Sequence, residues 1–245
     1  LFNQNLGEIN LILHGLFGSK RNWTTVARKL GERHRVLTAD LRNHGESPWD
    51  AAHDYPTLAA DVARLIHERV GGPAAVVGHS MGGKVAMMLA VERPELVTRL
   101  VVVDIAPARS TATSIGIVHA MQAVPLASCT RRADVEAALA EKIGDPLVRG
   151  FLVQNLVVGP DGLSWSVNLD AIERQFDTIL GFPEIPTERA FRGPTLFVAG
   201  GRSPYVQPRH RAEIERLFPA ATIEVLADAG HWVHADAPAA FIDLV

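Results

Sequence analysis

Six short runs of apolar, often β-branched residues recur along the chain, and turn residues such as glycine or aspartate close each of them. They lie at 9–13, 35–39, 74–77, 100–103, 195–199 and 222–226. Their apolar character is nearly continuous rather than alternating, which is typical of strands that are buried on both faces. The pattern therefore predicts the central strands of a mostly parallel sheet.

Helical periodicity fills most of the intervals between these runs. The clearest helical segments are 23–30, 57–70, 83–92 and 209–217. This alternation predicts an α/β fold, a mostly parallel sheet flanked by helices with right-handed crossovers.

Residues 106–190 interrupt the alternation of strands and helices, because they contain no convincing buried strand. Segment 131–143 is alanine-rich and helical in pattern, and 151–157 and 169–180 look helical or mixed. We therefore predict a core formed by 1–105 and 191–245, with a helical cap insertion at 106–190 on the strand ends.

Composition narrows the possible partners. The chain has 245 residues, of which 47% are apolar and 21% charged, with a net charge of -3. Such a weak charge argues against binding to nucleic acid, and no apolar run has membrane-spanning length, so we expect no membrane insertion. The single cysteine, Cys129, excludes an intrachain disulfide. It fits a reducing compartment, and we expect a cytoplasmic protein.

The motif Gly78-His79-Ser80-Met81-Gly82 matches G-x-S-x-G and lies between a predicted strand and a predicted helix. In this context a sharp turn lifts the serine hydroxyl above the sheet, and the glycines avoid collisions with neighbouring strands. The motif predicts the α/β-hydrolase fold with Ser80 as the nucleophile. Met81 then supplies one backbone N–H of an oxyanion hole at the start of a helix.

A second oxyanion donor is expected from the glycine-rich loop after the first strand, at 14–18. In α/β-hydrolases the loop at this place contributes one N–H to the oxyanion hole. We assign that donor to Leu16, with Phe17 as the next choice.

The general base is selected from ten histidines. His231 follows the last predicted strand and keeps the chain order serine, acid, histidine. Seven of the other nine histidines are expected in one of two settings, and His119 belongs to the predicted cap. Solvent exposure is expected for His34, His53, His67 and His210, and structural hydrogen bonds for His14, His44 and His79.

A metal site is the alternative role for the last loop. His231, His234 and Asp236 lie within six positions and could be read as metal ligands. That interpretation leaves the serine motif without a role. We therefore expect neither a metal nor a cofactor.

The acidic residue of the triad is less clear. The loop after the strand at 195–199 is its usual place, but this loop contains no carboxylate. Asp104 ends the strand at 100–103 and should emerge at the same sheet edge as Ser80. A buried imidazolium needs an orienting anion, which favours Asp104; Asp170, in the cap, is the rival. Ser203 would occupy the usual acid position, and we expect it to hydrogen-bond His231.

Apolar residues of the cap and the oxyanion loop are candidates for a substrate pocket, although most of them could equally be ordinary cap core. They are Phe17, Phe151, Leu152, Leu156, Trp165, Phe176 and Phe182. An apolar lining favours an uncharged acyl chain.

Six segments carry a resemblance that extends over nearly the whole chain. They are LHGLFGSKRNW (13–23), DLRNHGESP (40–48), VVGHSMGGKVAM (76–87), VVDIAP (102–107), PTLFVAGGRSPYV (194–206) and AGHWVHADAP (229–238). The chain resembles the small YbfF-like esterases of the α/β-hydrolase superfamily, a group related to mitochondrial abhydrolase-domain proteins. The resemblance implies an esterase or thioesterase that uses no metal and acts on simple acyl groups. It supports Asp104 as the acid with Ser203 as a fourth member, although some relatives have the acid assigned at the position of Asp170.

The expected function is hydrolysis of small-molecule carboxylic esters or acyl thioesters through a Ser-His-Asp triad and an acyl-enzyme intermediate. Two alternatives remain open. The same triad could serve a cofactor-free perhydrolase or a C–C hydrolase, or the fold could be a non-catalytic ligand-binding homologue. The sequence predicts no particular oligomeric state.

Overall fold

The computed structural model describes residues 7–111, 114–160 and 162–245. Within them, parallel strands form a six-stranded sheet. The strands of this sheet are β1 Gly7–Leu13, β2 His34–Ala39, β3 Ala74–His79, β4 Val97–Val103, β7 Thr195–Gly200 and β8 Ala221–Leu226. Their spatial order is β2-β1-β3-β4-β7-β8. All six predicted strands are present, and the predicted α/β fold with a parallel sheet is confirmed.

Helices connect the strands. The α-helices are α1 Thr24–Leu30, α2 Tyr55–Leu65, α3 Met81–Glu92, α4 Ile115–Gln122, α5 Arg132–Ala140, α6 Pro146–Leu152, α7 Leu169–Arg174, α8 Phe176–Leu180, α9 Arg211–Leu217, α10 Val233–Asp236 and α11 Pro238–Leu244. Short 3-10 helices lie at Lys20–Trp23, Pro94–Leu96, Leu126–Ser128, Val153–Asn155, Thr187–Arg189 and Pro208–His210, and a π-helix at Ile66–Val70. In the part of the chain that the structure describes, none of the helices is both long and apolar enough to cross a membrane.

Both faces of the sheet are buried, as the continuous apolar runs predict. Successive side chains of a strand point to opposite faces. In β4, Leu100 and Val102 pack into one hydrophobic cluster with residues of α2 and α3. Val101 and Val103 pack into a second cluster with residues of α1 and α11. Alternate residues of one strand therefore face two separate cores.

Residues 106–190, which we call the cap segment, contain helices α4 to α8 and an antiparallel hairpin. The hairpin pairs β5 Leu156–Gly159 with β6 Gly162–Trp165. The predicted helical insertion thus also contains a short two-stranded sheet. Val157 and Val158 are 46% and 76% exposed, so this hairpin lacks the buried apolar run by which the other strands are recognised. The division into core and cap stays our interpretation of the chain.

Two core side chains hold the end of α8. Nζ of Lys84, in α3, donates to the carbonyls of Leu180 and Gly181 at 2.7 and 2.6 Å. The hydroxyl of Tyr55, in α2, donates to the carbonyl of Ile179 at 2.6 Å. The last carbonyls of a helix have no intrahelical partner, so the N–H groups of a lysine and the O–H of a phenol satisfy them well. These bonds fasten one end of the cap segment to the core.

The turn between β3 and α3 brings backbone atoms into close approach. A Cβ on Gly78 would lie 2.2 Å from the carbonyl oxygen of Gly82. A Cβ on Gly82 would lie 2.4 Å from the carbonyl oxygen of His14 and 2.7 Å from that of Leu13. Backbone atoms cannot rotate away as a side chain can, so glycine is required at both positions.

We predict that Gly82→Ala lowers the free energy of unfolding by about 3 kcal/mol, because the new methyl group overlaps backbone atoms of the loop after β1. Gly150→Ala is the matched control. Gly150 lies in α6, and a Cβ added there would have no atom within 4 Å, so alanine should stabilise the helix by about 0.5 to 1 kcal/mol. Denaturant unfolding of both variants checks this, and equal stabilities would contradict it.

Candidate active site

Ser80 occupies the turn between β3 and α3 in a strained backbone conformation. Its φ is 53° and its ψ is -120°. The turn is fixed because the N–H of Ser80 donates to the carbonyl of Val103 at 3.0 Å and its carbonyl accepts from the N–H of Lys84 at 3.1 Å. The hydroxyl Oγ lies 3.1 Å from Nε2 of His231.

His231 follows β8 and lies between Ser80 and Asp104. Its Nδ1 is 2.7 Å from Oδ2 of Asp104. An ionised carboxylate only accepts hydrogen bonds, so Nδ1 carries the proton and Nε2 is left to accept from the serine hydroxyl. Two neighbours hold the histidine in place. Nε2–H of His79 donates to the carbonyl of His231 at 2.9 Å, and the ring of Tyr205 stacks on the imidazole at 4.0 Å.

Asp104, directly after β4, has no exposed surface. Its Oδ1 accepts from the N–H of Gly200 at 2.9 Å, and its Oδ2 accepts from the Ser203 hydroxyl as well as from His231. The expectation that Ser203 bonds the histidine is therefore wrong. A hydroxyl gains more from a carboxylate than from an imidazole, because the hydrogen bond is charge-assisted. Asp170, the rival acid, lies exposed on α7 and accepts from Gln122 at 3.4 Å.

Backbone N–H groups lie beside Ser80. Met81 is the first residue of α3, so its N–H is one of the donors that a helix leaves without an internal partner. The carbonyl of Gly15 accepts from Nδ1 of His14 at 2.8 Å and from the N–H of Gly18 at 2.9 Å. Because the Gly15–Leu16 peptide bond is trans, the N–H of Leu16 points in the direction opposite to the Gly15 carbonyl.

The same loop packs beside Ser80, and only one of its two candidate oxyanion donors, Leu16 and Phe17, has an N–H that is free within the described residues. A Cβ on Gly15 would lie 3.1 Å from Cβ of Ser80, so the loop packs against the serine. The N–H of Phe17 donates to Nε2 of His44 at 3.2 Å and is therefore already engaged. Leu16 is the better candidate of the two.

The predicted pocket residues occupy two settings. Phe151 lies with Trp232 in the wall of a groove of about 580 Å³, their rings 5.3 Å apart. The other candidates belong to the hydrophobic cluster that also contains Met81 or pack against it: Phe17, Leu152, Leu156, Trp165, Phe176 and Phe182. Whether these residues contact substrate stays a prediction.

Three histidines in or near the oxyanion loop are buried, and each accepts a hydrogen bond that requires a neutral ring. His14 accepts from the N–H of Leu41 at 3.0 Å, and His44 accepts from Phe17. His53 accepts from Asn43 at 3.2 Å. Burial lowers the pKa of His14, takes the pKa of His44 well below its usual value, and lowers the pKa of His53 to about 4.

The expectation that His53 lies in solvent is wrong, because its side chain is 1% exposed. Its local sequence is polar, but tertiary packing places the ring against the sulfur of Met81, with Nε2 at 3.4 Å. The structural hydrogen bonds expected for His14, His44 and His79 are present.

The three side chains of the alternative metal site have other partners. His231 bonds Asp104, Asp236 accepts from the N–H of Gly230 at 2.7 Å, and His234 stacks on Trp23 at 4.0 Å. Among the residues described, no group of three or more histidine, cysteine, aspartate or glutamate side chains could hold a metal ion.

The parallel sheet, the serine at the β3–α3 turn and the histidine after β8 define an α/β-hydrolase. The family model of the alpha/beta hydrolase fold matches residues 11–238. Esterase YbfF of Escherichia coli is 35% identical over 241 residues, covering 98% of this chain and 92% of that protein. The sn-1-specific diacylglycerol lipase ABHD11 of Mus musculus is 44% identical over 245 residues, covering 96% and 78%.

A solved structure of a marine microorganism esterase superposes with a TM-score of 0.92 at 34% identity, covering 97% of this chain and 94% of that one. The chain therefore belongs to the α/β-hydrolase family, among the YbfF-like esterases. It is a hydrolase of the esterase/lipase type.

The buried histidines predict acid sensitivity. Burial lowers the pKa of both His53 and His234 from 6.5 to about 4. Between these pH values the unfolded chain binds protons that the folded chain does not, so the free energy of unfolding falls as pH falls from about 6.5 to 4. Each residue contributes on the order of 3 kcal/mol to this loss. Urea unfolding measured at several pH values in this range gives the slope of the free energy of unfolding against pH.

His53→Gln should make that slope shallower, because one titrating group is removed. His67→Gln, at an exposed position of the π-helix, is the control and should keep the wild-type slope. If His53→Gln kept the wild-type slope, protonation of His53 would not be a cause of the acid sensitivity.

Proposed function

We propose that the chain cleaves carboxylic esters or acyl thioesters by a two-step acyl transfer on Ser80. The observation that carries this proposal is the continuous hydrogen-bonded path from Ser80 Oγ through His231 to Asp104, at 3.1 and 2.7 Å. This is the geometry of a nucleophile, a general base and an orienting anion.

In the first step Ser80 attacks the acyl carbon while Nε2 of His231 takes the hydroxyl proton. Asp104 stabilises the imidazolium that forms and keeps the proton of Nδ1 in place. The N–H groups of Met81 and Leu16 bind the oxyanion of the tetrahedral intermediate. His231 then protonates the leaving alcohol or thiol, and in the second step it activates water to release the acid.

The names of the relatives, esterase and diacylglycerol lipase, favour an ester over a thioester. The apolar residues of the cap segment favour an uncharged acyl group. Among them Phe151 packs on Trp232, the residue that follows His231 in the chain, which makes it a candidate for contact with the acyl group. We also propose a cytoplasmic location, because the free cysteine Cys129 fits a reducing compartment.

Ser80→Ala should abolish hydrolysis of p-nitrophenyl esters, with turnover reduced by about 10⁶, because the variant lacks the nucleophile. A fluorophosphonate probe should label the wild type at Ser80. Ser128→Ala is the control, because Ser128 is exposed in the cap segment and its hydroxyl donates to the carbonyl of Pro125 at 2.8 Å. Labelling that persists in Ser80→Ala would contradict the assignment.

Three substitutions test which residue is the acid that orients His231. Asp104→Asn should reduce kcat by up to about 10⁴, because the imidazole loses both its counter-charge and its tautomer control. Ser203→Ala should be intermediate, at about tenfold, since it removes one charge-assisted hydrogen bond. Asp170→Asn should stay near wild type, because its carboxylate is exposed.

Steady-state kinetics, with circular dichroism as a check on folding, give the order of the three effects. If Asp170→Asn were the inactive variant and Asp104→Asn retained activity, the acid would lie in the cap segment.

A further inference from the structure

Phe17, in the loop that carries Leu16, is fixed from two sides. Its N–H donates to Nε2 of His44 at 3.2 Å, and its carbonyl accepts from Nδ2 of Asn155 at 2.7 Å. Phe17 has a φ of 58°, in the left-handed region where a residue with a Cβ is strained. The two bonds satisfy the buried peptide groups on both sides of the residue and so help to hold this conformation.

His44 provides the core side of this arrangement. Its Nδ1–H donates to the carbonyl of Arg42 at 3.0 Å, so Nε2 is the ring atom that accepts. The side chain has no exposed surface. Burial takes the pKa of His44 well below its usual value, which preserves the acceptor at neutral pH.

Asn155 provides the other side, and it belongs to the cap segment. It ends the 3-10 helix Val153–Asn155 and is 3% exposed. Nδ2 also donates to the carbonyl of Leu152 at 3.1 Å, and the carbonyl of Asn155 accepts from the N–H and the hydroxyl of Ser166 at 2.8 and 3.0 Å. The amide is therefore held by the cap segment itself when it bonds Phe17.

We propose that Asn155 and His44 are positioning residues for the oxyanion hole, and that the bond from Asn155 couples docking of the cap segment to the orientation of the Leu16 N–H. The inference rests on the proposed function, since it requires attack by Ser80 on an acyl carbon. With the cap segment docked, Phe17 is locked, which holds the residue before it, Leu16, with its N–H directed to the site. Without that contact, the Phe17 carbonyl loses its partner and the loop can relax out of the strained conformation.

Asn155→Leu tests the coupling, because leucine is similar in size and lacks the donor. We expect kcat for p-nitrophenyl butyrate to fall about 10- to 100-fold while KM stays within about twofold, since the oxyanion forms only in the transition state. Tyr55→Phe is the matched control. It removes another buried hydrogen bond between core and cap segment, but that bond ends on α8, so kcat should stay within about twofold of wild type.

Asn155→Asp adds a readout that a general loss of stability would not produce. An ionised carboxylate cannot donate to the Phe17 carbonyl, whereas a protonated carboxyl can. The ratio of kcat for this variant to that of wild type should therefore rise as pH falls and the carboxyl takes up a proton. This variant also serves if Asn155→Leu does not fold.

Labelling of wild-type Ser80 by a fluorophosphonate monitors the proposed function separately. If the wild type is labelled at Ser80 but Asn155→Leu keeps wild-type kcat, the coupling is overturned and the proposed function stands. The same follows if Tyr55→Phe loses as much kcat as Asn155→Leu, or if the ratio for Asn155→Asp does not change with pH. If the wild type is not labelled, the proposed function fails, and the coupling fails with it.

Discussion

Asp104 is a carboxylate without exposed surface, and a buried anion is tolerated only when hydrogen-bond donors replace the water that it has lost. Its donors are the N–H of Gly200, the hydroxyl of Ser203 and Nδ1 of His231. They come from the end of β7 and from the chain after β7 and β8, the two strands that follow β4 in the order of the sheet. The strand order thus determines which groups can reach this carboxylate, and the position of His231 beside Ser80 follows from it.

The buried histidines near the serine favour the neutral form, because burial lowers their pKa. Buried imidazoles such as His14 and His44 accept backbone N–H groups, and burial lowers the pKa of each. A second positive charge near His231 would oppose formation of an imidazolium. Neutral histidines can fix loops without that opposition, so in the proposed mechanism Asp104 acts on His231 without a competing cation from these rings.

The strands and the serine turn could be predicted from the sequence, because a continuous apolar run and a G-x-S-x-G turn are local signals. Asp104 could be inferred because it ends a strand at the correct edge while the loop after β7 lacks a carboxylate. The prediction for the partner of Ser203 is wrong, since spacing along a chain does not decide between a carboxylate and an imidazole that lie side by side. The β5–β6 hairpin and the burial of His53 escape prediction, because both depend on tertiary contacts. The bond from Asn155 to Phe17 joins residues 138 positions apart and has no local signal.

Two of the core residues that the cap segment bonds have a strained backbone. Phe17 has a φ of 58° and Asn43 one of 65°. Asn155 bonds the carbonyl of Phe17, and Asn168 donates to Asn43 through its N–H at 2.9 Å and through Nδ2 at 3.0 Å. Strained conformations persist where surrounding bonds over-determine them. The core loops that contain Phe17 and Asn43 therefore have partners in the cap segment, so under the proposed coupling the cap segment helps to set the geometry of the groups that would act on substrate.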